Sequence, residues 1–258
     1  MAKIFPPPPD FNLPLAREAA GLVQNAYDQF AQGPNWHIKP GYDLLALLHA
    51  KPEGWLARDE MFGFVARNQT SRDVFVTFRG TQSPEDWLSN ITFPQVPHPG
   101  GWGQVEKGFS HLYDQCSATV NKAVADSGVG QVFVTGHSLG SALATLATAD
   151  LTLHGKSASM VNFASPRTGD RTFADKFDLA VKVKWRVANT EDIVTTVPLA
   201  TLVLETMKVD ILHSIVALAT QMGHKLDFEH VGVPVNFTTH NQSVIGNHDI
   251  KTYIDALP

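Results

Sequence analysis

Apolar residues recur along this chain with two periods, and the switching between them sets the expected architecture. Over 15–30, Ala16, Ala19, Ala20, Val23, Ala26, Tyr27 and Phe30 fall three or four residues apart, the period of an amphipathic helix. The run 43–48 reads as a second, shorter helix. Two strand-like runs, 61–67 and 73–79, flank the polar Asn68-Gln69-Thr70-Ser71-Arg72 and predict a β-hairpin. The continuously apolar 74–78 makes its second strand a central sheet member. Ser83 and Pro84 can start a short helix on which Trp87, Leu88 and Ile91 share one face, and the Pro- and Gly-rich 93–103 reads as a loop. Phe109, Leu112, Tyr113, Cys116, Val120 and Val124 give 105–127 one buried helical face.

Beyond that helix the alternation continues. A short apolar run, Val132-Phe133-Val134, leads through Gly136-His137-Ser138-Leu139-Gly140 into an Ala/Leu/Thr helix, so 131–148 is strand, sharp turn, helix. A strand at 158–164 and a helix at 171–179 follow. In 181–187 lysines alternate with apolar residues, which predicts a less buried, outer strand. Within 199–226, Ile211, Leu212, Ile215, Leu218, Ala219 and Met222 line one face of a helix that Glu205, Lys208, Asp210 and His213 keep from being a membrane span. A strand at 231–237 precedes a terminal amphipathic helix that starts near His248 and carries Ile250, Tyr253, Ile254 and Leu257. Strands alternating with helices predict an α/β fold.

Composition narrows the class. At 258 residues the chain can bury one sizeable core, and nothing in it forces a second domain. Its 43% hydrophobic and 17% charged residues are those of a globular protein, and a formal net charge of −5 without a basic cluster argues against nucleic acid. Cys116 is the single cysteine, so no intramolecular disulfide can form. The N-terminal stretch has four consecutive prolines, expected to form an extended strap, and no apolar core of signal-peptide length. A cytoplasmic location is therefore expected for the chain as written, with a processed or otherwise exported form left open. Sequons begin at Asn68, Asn90, Asn236 and Asn241, without a secretory route to use them. There is no H-E-x-x-H, cysteine cluster or phosphate loop, so neither a metal nor a cofactor is expected.

The chemistry centres on Ser138. A serine at the apex of a tight strand-to-helix turn sits in strained backbone and projects its hydroxyl beyond the sheet, which requires small neighbours. Gly136 and Gly140 supply them, and Ser141, Ala142, Ala144 and Ala147 keep the following helix slim. This stretch resembles the nucleophile elbow of the α/β-hydrolase fold. Together with Phe78-Arg79-Gly80-Thr81, Ala164-Ser165-Pro166-Arg167 and Asp192-Ile193-Val194 followed by Pro198, it resembles the fungal-lipase-like, or class 3 lipase, family. The resemblance covers roughly 74–198 and the final dozen residues. It implies a single α/β-hydrolase domain with a mostly parallel central sheet flanked by helices. It also implies Ser138 as nucleophile and an oxyanion hole formed by the backbone N–H groups of Leu139 and Thr81. A lid at 82–98, in which Trp87, Leu88 and Ile91 cover the acyl site, follows from the same likeness. A fixed surface helix shares that periodicity.

A serine hydroxyl needs a histidine to take its proton and a carboxylate to orient the histidine. Asp192 lies just past a strand end, where active-site loops of α/β sheets gather; Glu191 is its neighbouring rival, and Asp170 and Asp178 read as loop and helix-surface residues. His213, His224, His230, His240 and His248 all follow it. Chemistry alone leaves His240 open, and the family resemblance selects His248. One objection is that a helix N-terminus disfavours imidazolium by up to about 1 kcal/mol, which a paired Asp192 offsets. The resemblance implies a carboxylic ester hydrolase, a triacylglycerol lipase working through an acyl-enzyme on acylglycerols at a lipid–water interface. A feruloyl-type esterase, a phospholipase A1 and a catalytically silent lipid-binding protein are the alternatives. The segment 199–226 is a second cover, an interfacial helix or a core element.

Overall fold

The computed structural model describes residues 3–4, 6–52, 58–82, 93–128, 130–198, 227–241 and 243–257. Asn12 caps α1 (Leu13–Gln32), its side chain accepting from Leu15 N at 3.0 Å, and Pro14 occupies the first turn, where no N–H is missed. The hairpin is formed by β3 (Glu60–Asn68) and β4 (Val74–Phe78), antiparallel with Val65 opposite Val76. The long amphipathic helix is α2 (Lys107–Asp126), and all six residues expected on its inner face are buried.

These elements assemble around an eight-stranded sheet. In addition to β3 and β4, it contains β1 (Lys3–Ile4), β2 (Tyr42–Ala50), β7 (Val132–His137), β8 (Ala158–Phe163), β9 (Lys184–Asn189) and β10 (Val233–Thr238). Their order is β1-β10-β9-β8-β7-β4-β3-β2, and β10, β9, β8, β7 and β4 run parallel. Alternation along the strands feeds two layers. Val74, Val76, Phe78, Val132 and Val134 face α2, α3 (Leu139–Leu153) and α4 (Arg171–Ala180). Phe75, Phe133, Val161 and Phe163 face α1 and α6 (Ile250–Ala256). No helix among the described residues is long and apolar enough to cross a membrane.

Three expectations change. The run 43–48 lies in strand β2 rather than a helix: five consecutive apolar residues fit either period, and pairing with β3 decides the outcome. Strand β9 is not outer; it lies between β8 and β10 with Trp185 and Val187 buried. Lys182 precedes the strand, and Lys184, at its first position, turns its Nζ back to the carbonyls of Asp178 and Val181, so the charges mark an end and not an exposed face. Finally, 93–103 is not a plain loop. It contains β5 (Gln95–Pro97), paired antiparallel with β6 (Gln104–Glu106) across a turn in which Gly101 and Gly103 take positive φ. The remainder of the expected lid, including Trp87, Leu88 and Ile91, and the segment 199–226 lie outside the described residues.

Candidate active site

Strand β7 ends at His137 and α3 begins at Leu139, leaving Ser138 alone at the turn with φ 57° and ψ −128°. For a residue with a Cβ this is strained backbone, held by contacts on both sides. A Cβ on Gly136 would stand 2.1 Å from the Gly140 carbonyl oxygen, and one on Gly140 would stand 2.5 Å from that of Arg79. Ser138 N donates to Phe163 O at 3.1 Å, and Ser141 Oγ donates to the carbonyls of Gly136 and Phe163 at 2.7 Å. The turn is thus pinned to β8 as well as to β4.

The small residues of α3 let it lie close to the sheet, with every residue from Leu139 to Ala149 buried. As the first residue of this helix, Leu139 has no carbonyl a turn earlier to accept its N–H. Thr81 follows the carboxyl end of β4 and lines a cavity of about 250 Å³ that His248 also borders. Both expected oxyanion donors therefore lie at the carboxyl end of the parallel strands, beside Ser138.

Asp192 sits between β9 and a 3₁₀ turn, Ile193–Thr196, which it caps by accepting from Val194 N at 2.9 Å through Oδ1. Its other oxygen accepts from Tyr253 Oη at 2.6 Å and faces His248 Nδ1 at 2.8 Å. A carboxylate only accepts, so Nδ1 carries a proton and donates it to Asp192, and the ring's other nitrogen, Nε2, is the one left to take a proton. Asp192 and His248 are each 1% exposed, so this pairing is shielded from water. Burial and the Asp192 charge push the Tyr253 hydroxyl well above its usual range, so it remains a donor. Among the described residues, neither Ser138 Oγ nor His248 Nε2 has a hydrogen-bond partner.

Asparagines hold this geometry. Asn189 Nδ2 donates to the carbonyls of Thr239 and Asn247 at 2.9 and 3.1 Å, and its Oδ1 accepts from Thr239 N at 3.0 Å. Asn247 in turn accepts from Asn241 N at 2.7 Å and donates to Glu191 O at 3.2 Å. The chain after β10 is thereby tied to the turn that carries Asp192. His248 does not start the terminal helix. It closes the five-residue helix α5 (Val244–His248), with α6 beginning at Ile250. His248 thus stands between the C-terminus of α5, which favours imidazolium, and the N-terminus of α6, which disfavours it.

The rival residues are engaged elsewhere. Glu191 and His240 face each other at the surface, 3.3 Å apart, and His230 Nε2 donates to Thr195 O at 2.8 Å. Asp170 caps α4, and Asp178 accepts from Gly232 N at 2.8 Å. His213 and His224 lie outside the described residues. Sequence reasoning missed Asn189 and Asn247 as supports; Tyr253, five residues after His248, is read there as part of the likeness to the family and of an apolar face, not as a donor to Asp192.

Residues 75–202 match the family model described as lipase (class 3). A chloroplastic phospholipase A(1) of Arabidopsis thaliana is 30% identical over 213 residues, covering 70% of this chain and 47% of that protein. A lipase of Rhizomucor miehei is 33% identical over 145 residues, covering 52% of this chain and 40% of the lipase. The chain thus spans less than half the length of these relatives. The solved structure of the Rhizomucor miehei lipase propeptide complex superposes with a TM-score of 0.59 at 26% identity, covering 72% of this chain and 62% of that one. With an elbow serine between β7 and α3 in a mostly parallel sheet, and with these matches, the chain belongs to the class 3 lipase family of the α/β-hydrolase fold.

Proposed function

We propose that the protein is a serine carboxylic ester hydrolase acting on acylglycerols, its parts carried by one α/β-hydrolase domain. The observation that carries this reading is the directed pairing of Asp192 with His248 Nδ1, which leaves Nε2 as the base, without a hydrogen-bond partner among the described residues. His248 takes the proton of Ser138, whose oxygen attacks the ester carbonyl. The backbone N–H groups of Leu139 and Thr81 stabilise the oxyanion, each donor of this type contributing about 10²–10³-fold in rate. Proton return from His248 expels the alcohol, and water then hydrolyses the acyl-enzyme by the same steps in reverse roles. Tyr253 and the N–H of Val194 fix the Asp192 carboxylate while the imidazolium forms beside it.

The alcohol part of the substrate belongs on the side of His248, from which it receives its proton. The 250 Å³ cavity beside His248 and Thr81 carries Gln24, Gln82, Asp249 and Lys251 on its walls. That polar lining suits the glyceryl half of an acylglycerol. A phospholipase is the second reading, supported by the phospholipase A(1) relative.

The test is a fluorophosphonate together with emulsified tri-, mono- and phospholipid esters of one acyl chain. Labelling and turnover in the wild type, and neither in Ser138→Ala, is the expected result, with glyceryl esters the faster substrates. Equal labelling of Ser138→Ala would overturn the assignment of the nucleophile, and faster phospholipid cleavage would select the second reading.

A further inference from the structure

The elbow histidine takes no part in the chemistry above, yet it is 3% exposed and lies between two catalytic elements. His137 Nε2 is 2.7 Å from the backbone oxygen of His248. A carbonyl only accepts, so Nε2 carries a proton. Burial, followed by the nearness of His248, holds His137 well below the usual histidine range, so the ring is neutral and Nδ1 is an acceptor. Tyr27 Oη is 2.8 Å from Nδ1 and must donate to it. The same oxygen accepts from Gly80 N at 3.0 Å.

The bonds therefore have one permitted direction, from Gly80 N–H to Tyr27, from Tyr27 O–H to His137, and from His137 N–H to the His248 carbonyl. One end is the residue before Thr81, the other is the histidine facing Asp192, and the middle member adjoins Ser138. Clearances are small: a Cβ on Gly80 would stand 2.5 Å from Tyr27 Oη and 2.8 Å from the Ser138 Cβ. The His137 and His248 rings are 4.7 Å apart between centroids, and Tyr27 meets His137 edge-on at 5.8 Å.

We propose that Tyr27 and His137 are positioning residues which, through this directed chain, hold the oxyanion loop and the general base at a fixed separation around Ser138. This rests on the hydrolase reading above. Tyr27 reaches the site from α1, a helix at the opposite end of the chain from His248, and although it borders the cavity beside His248, it acts on the reacting groups through His137 and Gly80.

The experiment is a double-mutant cycle with Tyr27→Phe and His137→Gln, read as kcat and KM on a soluble ester, alongside ¹⁵N NMR of the histidine rings. Tyr27→Phe keeps the ring and removes the donor. The expected result is a fall in kcat of at least ~10-fold at unchanged KM, inside the ~10²-fold that a 1 Å misplacement costs. The double variant should be no slower than the worse single variant, because one broken link breaks the chain. The wild-type spectrum should show neutral His137 protonated at Nε2, with the tautomers mixing and the His248 signals broadening in Tyr27→Phe. Multiplicative losses, or an unchanged kcat, would overturn the proposal, since independent packing roles give those outcomes. A wild type that hydrolyses no ester would overturn the hydrolase reading instead, and the response of the His248 signals to Tyr27→Phe would then decide the positioning role alone.

Discussion

Ser138 and His248 are held by different means: Ser138 is set by backbone against backbone and His248 by side-chain hydrogen bonds. At the elbow, Gly136 and Gly140 let β7, α3 and the end of β4 approach to distances that exclude a Cβ. Around His248, Asp192, Asn189, Asn247 and Tyr253 assemble a polar cluster from two separate stretches of chain. Steric fixation tolerates no added atom, whereas a hydrogen-bonded cluster degrades one bond at a time. The two regions should therefore fail differently when altered.

The largest effect is expected at Asp192. Asp192→Asn frees the His248 tautomer and should lower kcat by about 10⁴-fold, as loss of the orienting carboxylate does in related chemistry, with the fold retained. Steady-state kinetics and circular dichroism check this, and activity within ~10-fold of wild type would remove Asp192 from its assigned role. Next comes Gly136→Ala, whose Cβ would stand 2.1 Å from a carbonyl oxygen. A loss of about 4 kcal/mol or more is expected, the size reserved for severe overpacking. Urea melts measure it, and a stable, active variant would end the contrast drawn here.

Tyr253→Phe should be milder. It removes one bond to a carboxylate that keeps its contacts with Val194 N and His248, together with the acceptor of Asn189 N, and the bond to the carboxylate is the larger loss, at about 1.5–3 kcal/mol. Stability and kcat should both fall, which sharpens the idea of a cluster that yields by degrees.

The smallest effect per residue is a pH dependence of stability. Burial, the first cause in each case, holds His98, His137 and His230 below the usual histidine value of about 6.5. Above that value folded and unfolded chains are both neutral there, and stability is full. As pH falls below it the unfolded chain takes up protons that the folded one refuses, so stability drops until the folded values are reached. The slope is up to about 1.4 kcal/mol per pH unit for each histidine. Melts at pH 7.5 and 5.5 should show it, and His137→Gln should flatten it by one proton; an unchanged slope would mean that His137 titrates freely.

Some of this was legible in the chain. Gly136-His137-Ser138-Leu139-Gly140 after an apolar run fixes strand, turn and helix, because only glycine fits beside a positive-φ serine, and that constraint is local. The amphipathic face of α2 is local in the same sense. Strand β2 was not legible, since Leu44 to Leu48 satisfy both periods until β3 is beside them. Nor was the interior place of β9, whose lysines lie at its start and before it.

The sequence by itself determined the α/β alternation, the strained turn at Ser138 and the short set of acids and histidines that could serve it. Only the tertiary structure decided which members of that set meet. Asp192 and His248 are 56 residues apart, and Tyr27 and His137 are 110 apart. The periodicity that reports a residue's own helix or strand carries no information about a partner brought in by the sheet. Glu191 and His240 have the same chemistry as the chosen pair, and they differ in facing each other at the surface instead of lying buried.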